Sequence, residues 1–352
     1  MPDVAAASAE VVVDRLPVID LTGFDTDHEV RRAVARRIGA ACRMHGFFYV
    51  SGHGIDPALI ERLETLSRQF FALPLAEKMR IEMARGGRAW RGYFPVGNEL
   101  TSGVPDRKEG LYLGTELPAD HPLVRAGTPV HGTNLFPAID DFRATVLDYI
   151  GAVTGLGHRL MAALALSLDL PDDYFASRYT ADPLILFRIF NYPARARSTV
   201  GEWGVGEHTD YGLLTMLLQD RNGGLEVKSN GRWIGAPPLP GTFVCNIGDM
   251  LDRMTRGMYR SNPHRVRASA RNDRLSFPLF FDPNFFATVA PIEELAHVAF
   301  ADDRDSRWDH ASVHAFEGTY GDYLIGKISK VFPQLRSEVL QAAGYQSSIC
   351  GS

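Results

Sequence analysis

The chain has 352 residues, of which 45% are hydrophobic and 22% are charged, a composition that is ordinary for a globular protein. The formal net charge of −5 gives no indication of the clustered basic face that nucleic-acid-binding proteins use. The chain contains no run of 18 or more apolar residues, so we predict no membrane span. Its cysteines, Cys42, Cys245 and Cys350, are odd in number and form no CxxC pair, which predicts no disulfide framework and fits a reducing cytoplasm.

The first half of the chain is predicted to be mostly helical. Residues 1–14 are small and acidic, and we expect a disordered tail. Apolar side chains recur at helical period over residues 27–45. Asp56-Pro57 combines a helix cap with a proline of the first turn and predicts the start of a second helix. A long helical stretch over residues 137–170 is expected to be bent or broken near its glycines, Gly151, Gly155 and Gly157.

The second half of the chain has the pattern of a β structure. Asn222-Gly-Gly224 and Asn230-Gly231 are turn sequences of the hairpin type. Short apolar runs separated by turn signals favour a sandwich or a closed double sheet. The predicted strands are residues 184–192, 205–218, 224–228, 232–236, 243–248, 263–268 and 275–282.

One domain with a β core is the organisation that this pattern favours. We expect a single domain over residues 15–352, with a mostly helical region at 15–180. Its core would span residues 181–312, and C-terminal helices would follow at 313–352. The sequence contains no internal repeat or low-complexity tract that would suggest a different arrangement.

A possible metal site begins at His208-Thr-Asp210, in a run predicted to be a strand. In a strand, residues i and i+2 point to the same face, so the imidazole and the carboxylate would project together. His264 follows 54 residues later in another predicted strand. Two imidazoles and one carboxylate can hold one face of an octahedral iron and leave three positions open, two for a chelating co-substrate and one for O₂. A chance His-x-Asp pair is the alternative on this motif alone.

A possible carboxylate receptor follows at Arg274-Leu-Ser276. The guanidinium fork and the hydroxyl would share one face of a strand, and Tyr192 could add a phenolic donor. Arg274 is followed by an apolar run, which indicates a partly buried charge that needs a partner. The distal carboxylate of 2-oxoglutarate would serve as that partner.

Several motifs together resemble the isopenicillin-N-synthase-like family of Fe(II)/2-oxoglutarate-dependent dioxygenases. They are Pro17–Leu21, His45–Gly54, Asn191–Pro193, His208–Gly212, Gly223–Val227, Asn246–Asp249, Ser261–Val266 and Arg274–Ser276. The resemblance implies a double-stranded β-helix, or jelly roll, with flanking helices. It also implies that iron(II) binds to His208, Asp210 and His264, and that 2-oxoglutarate binds to Arg274, Ser276 and Tyr192.

The activity implied by this resemblance is the oxidation of a small molecule with O₂ and 2-oxoglutarate, which is converted to succinate and CO₂. We expect hydroxylation or desaturation, with no catalytic side chain beyond the metal centre. We also favour a monomer and expect no binding to nucleic acid or to a membrane. Because Asp210 supplies a ligand where a halogenase would leave room for chloride, we expect no chlorination. Two alternatives remain at this stage: an iron-dependent oxidase that does not use 2-oxoglutarate, and a non-catalytic jelly-roll binding module.

The substrate is suggested by a second, more local resemblance. Residues 97–106 resemble a segment of ethylene-forming enzymes and plant homoarginine hydroxylases, in which a Glu and a Thr contact a guanidino amino acid. Glu99 and Thr101 match those positions, Tyr211 matches as well, and Lys330 falls where those enzymes carry an arginine. The resemblance implies a substrate such as arginine or homoarginine.

A different substrate class is the alternative. Trp90, Tyr93 and Phe94 could line the mouth of the site and favour an apolar or phenolic natural product. In that case Glu99 would be an ordinary acidic loop residue.

Overall fold

The computed structural model describes residues 15–101, 103–194, 203–267, 272–299, 303–307, 310 and 312–332. The predicted disordered tail at 1–14, Cys350 and the last part of the C-terminal region lie outside the described residues. The helices are α1 His28–Met44, α2 Pro57–Phe71, α3 Leu75–Lys78, α4 Pro122–Arg125, α5 Phe142–Leu166, α6 Tyr174–Arg178, α7 Asp249–Met254 and α8 Tyr320–Val331. The strands are β1 Val18–Asp20, β2 Phe47–Ser51, β3 Gly92–Phe94, β4 Leu100–Thr101, β5 Val104–Pro105, β6 Glu109–Gly114, β7 Leu184–Tyr192, β8 Trp203–His208, β9 Leu214–Gln219, β10 Leu225–Ser229, β11 Arg232–Gly235, β12 Phe243–Ile247, β13 His264–Arg267 and β14 Arg274–Asp282.

Helices α1, α2 and α5 form the helical layer of the N-terminal half, and both α1 and α2 pack on α5. The predicted start of α2 is confirmed, because the side chain of Asp56 accepts a hydrogen bond from the amide of Ala58 at 2.9 Å and Pro57 lies in the first turn. Asp27 caps α1 in the same manner. Each cap satisfies amide groups that have no partner within the helix.

The long helix α5 runs from Phe142 to Leu166 without interruption, so the expected break at its glycines is wrong. A Cβ atom on Gly157 would lie 2.3 Å from the ring of Phe281, so this glycine permits close packing of α5 on β14. By length and composition alone α5 could cross a membrane, but 56% of its most apolar 18-residue window is buried inside the protein. That burial is typical of a core helix.

The core consists of two sheets that face each other. The larger sheet has the strand order β1-β2-β12-β9-β14-β7-β6-β3, and the smaller one has the order β11-β10-β13-β8. Most of their pairings are antiparallel, and successive strands alternate between the sheets at several points along the chain. The predicted jelly roll with flanking helices is confirmed. The walls of the space between the sheets are where the site residues meet.

Two local predictions in the core are wrong. The run 205–218 is not one strand, since β8 ends at His208 and β9 begins at Leu214 in the other sheet. Asn222-Gly-Gly224 likewise connects β9 and β10, which lie in different sheets, so it does not form a hairpin turn. In contrast, Asn230-Gly231 does form the β10–β11 hairpin turn, with positive φ angles of 49° and 76°.

Candidate active site

Three potential metal ligands converge between the two sheets. His208 ends β8 and His264 begins β13, and the two residues are register partners in adjacent strands. Asp210 lies in the loop that leaves the smaller sheet after β8, so it reaches the histidines from a loop and not from the predicted strand. The ligand atoms of all three side chains lie within 4.8 Å of one another. Two imidazoles and one carboxylate in this arrangement fit a divalent transition metal such as iron.

Neighbouring groups fix the orientation of His208 and Asp210. Oδ2 of Asp210 accepts hydrogen bonds from Thr215 Oγ1 at 2.5 Å and from Asn246 Nδ2 at 2.7 Å. Oδ1 of Asp210 is left facing Nε2 of His264 at 3.7 Å. His208 Nδ1 lies 2.8 Å from the carbonyl of Gly206 and can donate to it, which leaves Nε2 as the metal-binding atom.

The protonation states of this cluster suit metal binding. Burial, then the neighbouring His208, lowers the pKa of His264 to about 4, so its imidazole is neutral at physiological pH. Burial alone would raise the pKa of Asp210, but His264, His208 and the hydrogen bonds from Asn246 and Thr215 hold it below the usual value. A neutral imidazole and an ionised carboxylate are the forms that coordinate a metal.

A buried cation lies at one end of the same cavity. Arg274 is 1% exposed, and its Nη2 donates to Gln219 Oε1 at 3.2 Å while Nε donates to the carbonyl of Gly223. Its Nη1 is buried and has no hydrogen-bond partner among the described residues. Ser276 and Tyr192 line the cavity beside it, with the Tyr192 ring centre 4.8 Å from the guanidinium carbon. This donor set fits a ligand carboxylate, as expected for 2-oxoglutarate.

The cavity that joins these groups is small, with a volume of about 160 Å³. Glu99, Thr101 and Tyr211 line it, as do the metal ligands and the carboxylate receptor. Much of its remaining wall is apolar and is contributed by strands β7 and β14, by helix α8 and by the residue that follows it: Leu186, Phe190, Phe280, Leu324, Ile328 and Phe332. A wider surface groove shares Thr101 and Thr209 with the cavity and provides a path to solvent.

Glu99 belongs to a buried cluster of charges. Lys108 Nζ lies 2.9 Å from Glu99 Oε2 and also contacts Asp106, while the hydroxyl of Tyr112 donates to Glu99 Oε1. The contact at Oε2 is an ion pair without hydrogen-bond geometry, so this oxygen keeps its capacity to accept a hydrogen bond. Because two carboxylates share one ammonium group, the cluster carries a formal charge of −1. Burial, together with the charge of Glu99, accordingly raises the pKa of Asp106 even though Lys108 opposes the shift.

Lys330 does not lie with the other predicted substrate residues. It is exposed and does not line the cavity. Leu324, Ile328 and Val331 are the residues of α8 that do so, and Lys330 is rotated by about 100° from Val331 around the helix. Lys327 is the buried lysine of this helix, with its Nζ 6.0 Å from the Tyr211 ring centre.

The aromatic residues that suggested an apolar substrate lie in the core. Trp90, Tyr93 and Phe94 are at most 2% exposed and do not line the cavity. Trp90 and Phe94 instead pack behind Phe332, which does line it. These aromatic residues therefore belong to the packing beneath the wall of the site and do not indicate an apolar substrate.

Several polar cavity residues carried no functional prediction from the sequence, among them Lys108, Tyr112, Arg188 and Asp282. A signal was present for Arg188, which is the only charged residue in the otherwise apolar strand β7. A single charge inside a buried strand requires a partner or a function. No comparable sequence signal marks Tyr112, whose role depends on its neighbours in space.

The family of the chain is shown by comparison with known proteins. Residues 16–139 match the "non-haem dioxygenase in morphine synthesis N-terminal" family, and residues 172–283 match the "2OG-Fe(II) oxygenase superfamily". A probable iron/ascorbate oxidoreductase of Dictyostelium discoideum is 54% identical over 94% of the chain and 98% of its own length. The chain belongs to the 2OG-Fe(II) oxygenases. It is therefore an oxidoreductase that uses Fe(II), 2-oxoglutarate and O₂.

Further relatives of this oxygenase have more specific names. A 1-aminocyclopropane-1-carboxylate oxidase of Dictyostelium mucoroides is 39% identical over 92% of the chain and 97% of the relative. Homoarginine-6-hydroxylase 2-ODD-233 of Oryza sativa subsp. japonica is 36% identical over 84% of the chain and 88% of the relative. Among solved structures, a full-length Neurospora crassa protein in complex with alpha-KG has a TM-score of 0.74 and 28% identity, covering 89% of the oxygenase and 96% of the Neurospora chain.

Proposed function

We propose that this oxygenase hydroxylates or desaturates a free amino acid with a cationic side chain, and that the leading candidates are guanidino amino acids such as arginine and homoarginine. His208, Asp210 and His264 would hold iron(II). Arg274, with Ser276 and Tyr192, would hold the distal carboxylate of 2-oxoglutarate. The observation that carries the substrate proposal is the buried charge cluster of Glu99, Asp106 and Lys108, which lies at the cavity wall with a formal charge of −1.

Glu99 favours a ligand that donates hydrogen bonds, since its Oε2 is buried and accepts none from the described residues. A buried carboxylate oxygen of this kind is stabilised by a charged donor placed against it. Glu99 Oε2 retains acceptor capacity, and the hydroxyl of Thr101 lies nearby, hydrogen-bonded at 2.9 Å to Asp106. A planar guanidinium can donate two hydrogen bonds to such a carboxylate edge.

The size of the cavity and the names of the relatives support a small amino acid. The volume of about 160 Å³ is below the roughly 300–1,000 Å³ of pockets that bind drug-sized ligands. Two of the relatives are named for 1-aminocyclopropane-1-carboxylate and for homoarginine, which are both amino acids. A compact substrate with a carboxylate and a cationic group is consistent with both observations.

The side chains of the enzyme would orient and enclose the reacting partners. The bound iron and 2-oxoglutarate would supply the oxidising power when O₂ is present. Thr215 and Asn246 would keep one oxygen of Asp210 directed at the metal. The apolar wall formed by Phe280, Leu324 and Ile328 would exclude water from the target C–H bond.

The test is succinate release with Fe(II) and 2-oxoglutarate in the presence of single amino acids, natural phenols and apolar compounds. We expect arginine or homoarginine to raise succinate production above the rate without substrate. Glu99→Gln should raise the KM for the guanidino amino acid at least roughly tenfold, because a charge-assisted hydrogen bond is lost.

Glu109→Gln is the matched control. Glu109 is also buried and is also bound by a lysine and a tyrosine, Lys78 at 2.7 Å and Tyr93 at 2.5 Å, but it does not line the cavity. Its substitution should leave the KM unchanged. The proposal is wrong if guanidino amino acids leave succinate at its background level, if phenols stimulate it in their place, or if the two variants change the KM equally.

A further inference from the structure

Arg188 is a buried cation in the cavity wall that forms no direct ion pair among the described residues. It lies on β7, is 6% exposed, and uses Nη1 to donate to the carbonyls of Leu113 and Phe187, both at 3.2 Å. Its guanidinium stacks on the ring of Tyr112. Within the described part of the chain, no carboxylate forms an ion pair with Arg188. Burial lowers the pKa of Arg188, and Tyr112, Glu99 and Asp282 oppose this shift, but neither carboxylate is within ion-pair distance of the guanidinium, which remains charged.

We propose that Arg188 binds the carboxylate of the substrate. This inference rests on the proposed function, since it assigns the second charged group of the same amino acid. A ligand carboxylate would supply the direct ion pair that the described residues do not provide, and the guanidinium fork suits two parallel hydrogen bonds. Lys330, which the local resemblance had suggested as a substrate residue, is exposed and lies outside the cavity.

The position of Arg188 relative to the charge cluster fits a zwitterion. Tyr112 separates the two charges: its hydroxyl donates to Glu99, and its ring faces Arg188. The cavity therefore presents a negative group and a positive group about one phenol ring apart. A substrate that carries a cation at one end and a carboxylate at the other can contact both without leaving the cavity.

The distance from Arg188 to the metal site fits a substrate that reaches the iron. Strand β14 lies between β7, which carries Arg188, and β9, which carries the Asp210 partner Thr215. Two strand spacings correspond to about 10 Å. That distance is comparable to the length of an extended amino acid with a long side chain.

Arg188 is also distinct from the receptor for 2-oxoglutarate. Arg274 is the register partner of Tyr192, at the end of β7. Arg188 lies four residues earlier in that strand, a separation of about 13 Å along its axis. The two arginines can therefore bind different carboxylates at the same time.

The experiment measures binding under anaerobic conditions to the full chain loaded with Fe(II) and 2-oxoglutarate. The ligands are L-arginine, agmatine, which lacks the carboxylate, and L-norleucine, which lacks the side-chain cation. Arg188→Met should weaken the binding of L-arginine by roughly 30-fold or more, as expected for loss of one partner of a buried charge pair. Affinity for agmatine and for 2-oxoglutarate should stay unchanged.

Arg91→Met is the matched control. Arg91 is 1% exposed and donates to the same carbonyl of Leu113 at 3.2 Å, but it does not line this cavity. It should retain the affinity for L-arginine even if its stability falls. Arg188→Lys, which keeps the charge and loses the fork, serves if the methionine variant does not fold, and it should still discriminate less between L-arginine and agmatine.

The inference is overturned if Arg188→Met binds L-arginine as well as the wild type does, if it loses affinity for 2-oxoglutarate to the same extent, or if Arg91→Met shows an equal loss. The proposed function fails separately. If L-arginine does not bind but L-norleucine binds in an Arg188-dependent manner, the guanidino substrate is wrong and the role of Arg188 stands. If neither L-arginine nor L-norleucine binds to the wild type, both the proposed function and the role of Arg188 are wrong.

Discussion

The guanidinium carbon of Arg188 lies 3.5 Å from the centre of the Tyr112 ring. The same tyrosine donates a hydrogen bond to Glu99. One side chain therefore contacts both the carboxylate and the guanidinium that we propose to bind the substrate. A cation against an aromatic face and a phenol on a carboxylate are both favourable arrangements. Tyr112 thereby holds the two charged groups at a fixed separation.

The first prediction concerns this tyrosine. Tyr112→Phe keeps the ring beneath Arg188 and removes the hydrogen bond to Glu99, so the carboxylate loses one of the contacts that orient it. We expect the KM for the guanidino substrate to rise about 3- to 10-fold, the usual effect of one hydrogen bond. Tyr93→Phe, which removes the corresponding bond to Glu109, should not change the KM.

The second prediction concerns the metal. His208→Ala or His264→Ala should abolish iron-dependent turnover and lower the iron content of the purified protein, since two remaining ligands cannot hold the facial geometry. His158→Ala, whose ring packs on Phe281 away from the ligands, should retain both. Iron content and succinate release are the measurements. Wild-type turnover in either ligand variant would contradict the assignment.

The third prediction concerns the co-substrate. Arg274→Met should raise the KM for 2-oxoglutarate by two to three decades, because breaking a buried charge pair costs roughly 3–5 kcal/mol. Arg253→Met is the control: Arg253 is also buried, but it donates to the carbonyls of Val289 and Val313 and lies outside the cavity. An unchanged dependence on 2-oxoglutarate in Arg274→Met would show that this arginine binds something else.

The fourth prediction concerns the reaction type. Asp210 directs Oδ1 towards the position between the histidines, where a halogenating relative would need room for chloride. We expect oxygenated or desaturated products at any chloride concentration. Mass spectrometry of products formed in high chloride tests this, and a chlorinated product would show that the carboxylate does not remain bound to the metal.

The fifth prediction concerns the stability of the metal-free protein as a function of pH. Burial is the main cause that raises the pKa of Asp282 to about 7, and the charge of Asp210 adds to it. A carboxyl whose pKa is higher in the folded state than in the unfolded state destabilises the fold progressively as pH rises from about 4 to about 7. Asp282→Asn removes this titration and can still accept the hydrogen bond from Tyr320.

Melting temperatures of the Asp282→Asn variant and the wild type, measured between pH 4 and pH 8, test this sign. The melting temperature of the variant relative to the wild type should increase as pH rises and level off above about pH 7. A difference that is constant over this range, or one that decreases with pH, would show that Asp282 is not protonated in the folded protein near neutral pH.

Much of the metal and co-substrate arrangement could be predicted because short sequence motifs encode it. His208 and Asp210 are two residues apart, and so are Arg274 and Ser276, so one local backbone conformation brings each pair together. The prediction was right about the proximity of His208 and Asp210 and wrong about its cause. The end of a strand and the loop after it, and not a continuous strand, bring them together.

The substrate side could be predicted only in part, because its geometry depends on pairing between distant segments. The sequence suggested Glu99 but not its ion pair with Lys108 or its bond to Tyr112, which arise when the segment around Glu99 packs against β6. It also suggested Lys330, which lies outside the cavity. This suggestion failed because a position in a motif does not specify how a helix is rotated. That rotation is set by the apolar residues of α8 that face the cavity.

The sequence by itself determined the proximity of His208 to Asp210 and of Arg274 to Ser276, because short spacings are local properties of the chain, and its motifs predicted the fold class. The tertiary structure alone decided which charges are buried and which of them form ion pairs within the described residues. Arg188 and Glu99 are 89 residues apart in the chain, yet both meet at Tyr112. The free energy of a buried charge depends on its neighbours in space, and those neighbours exist only after the sheets have closed around the cavity.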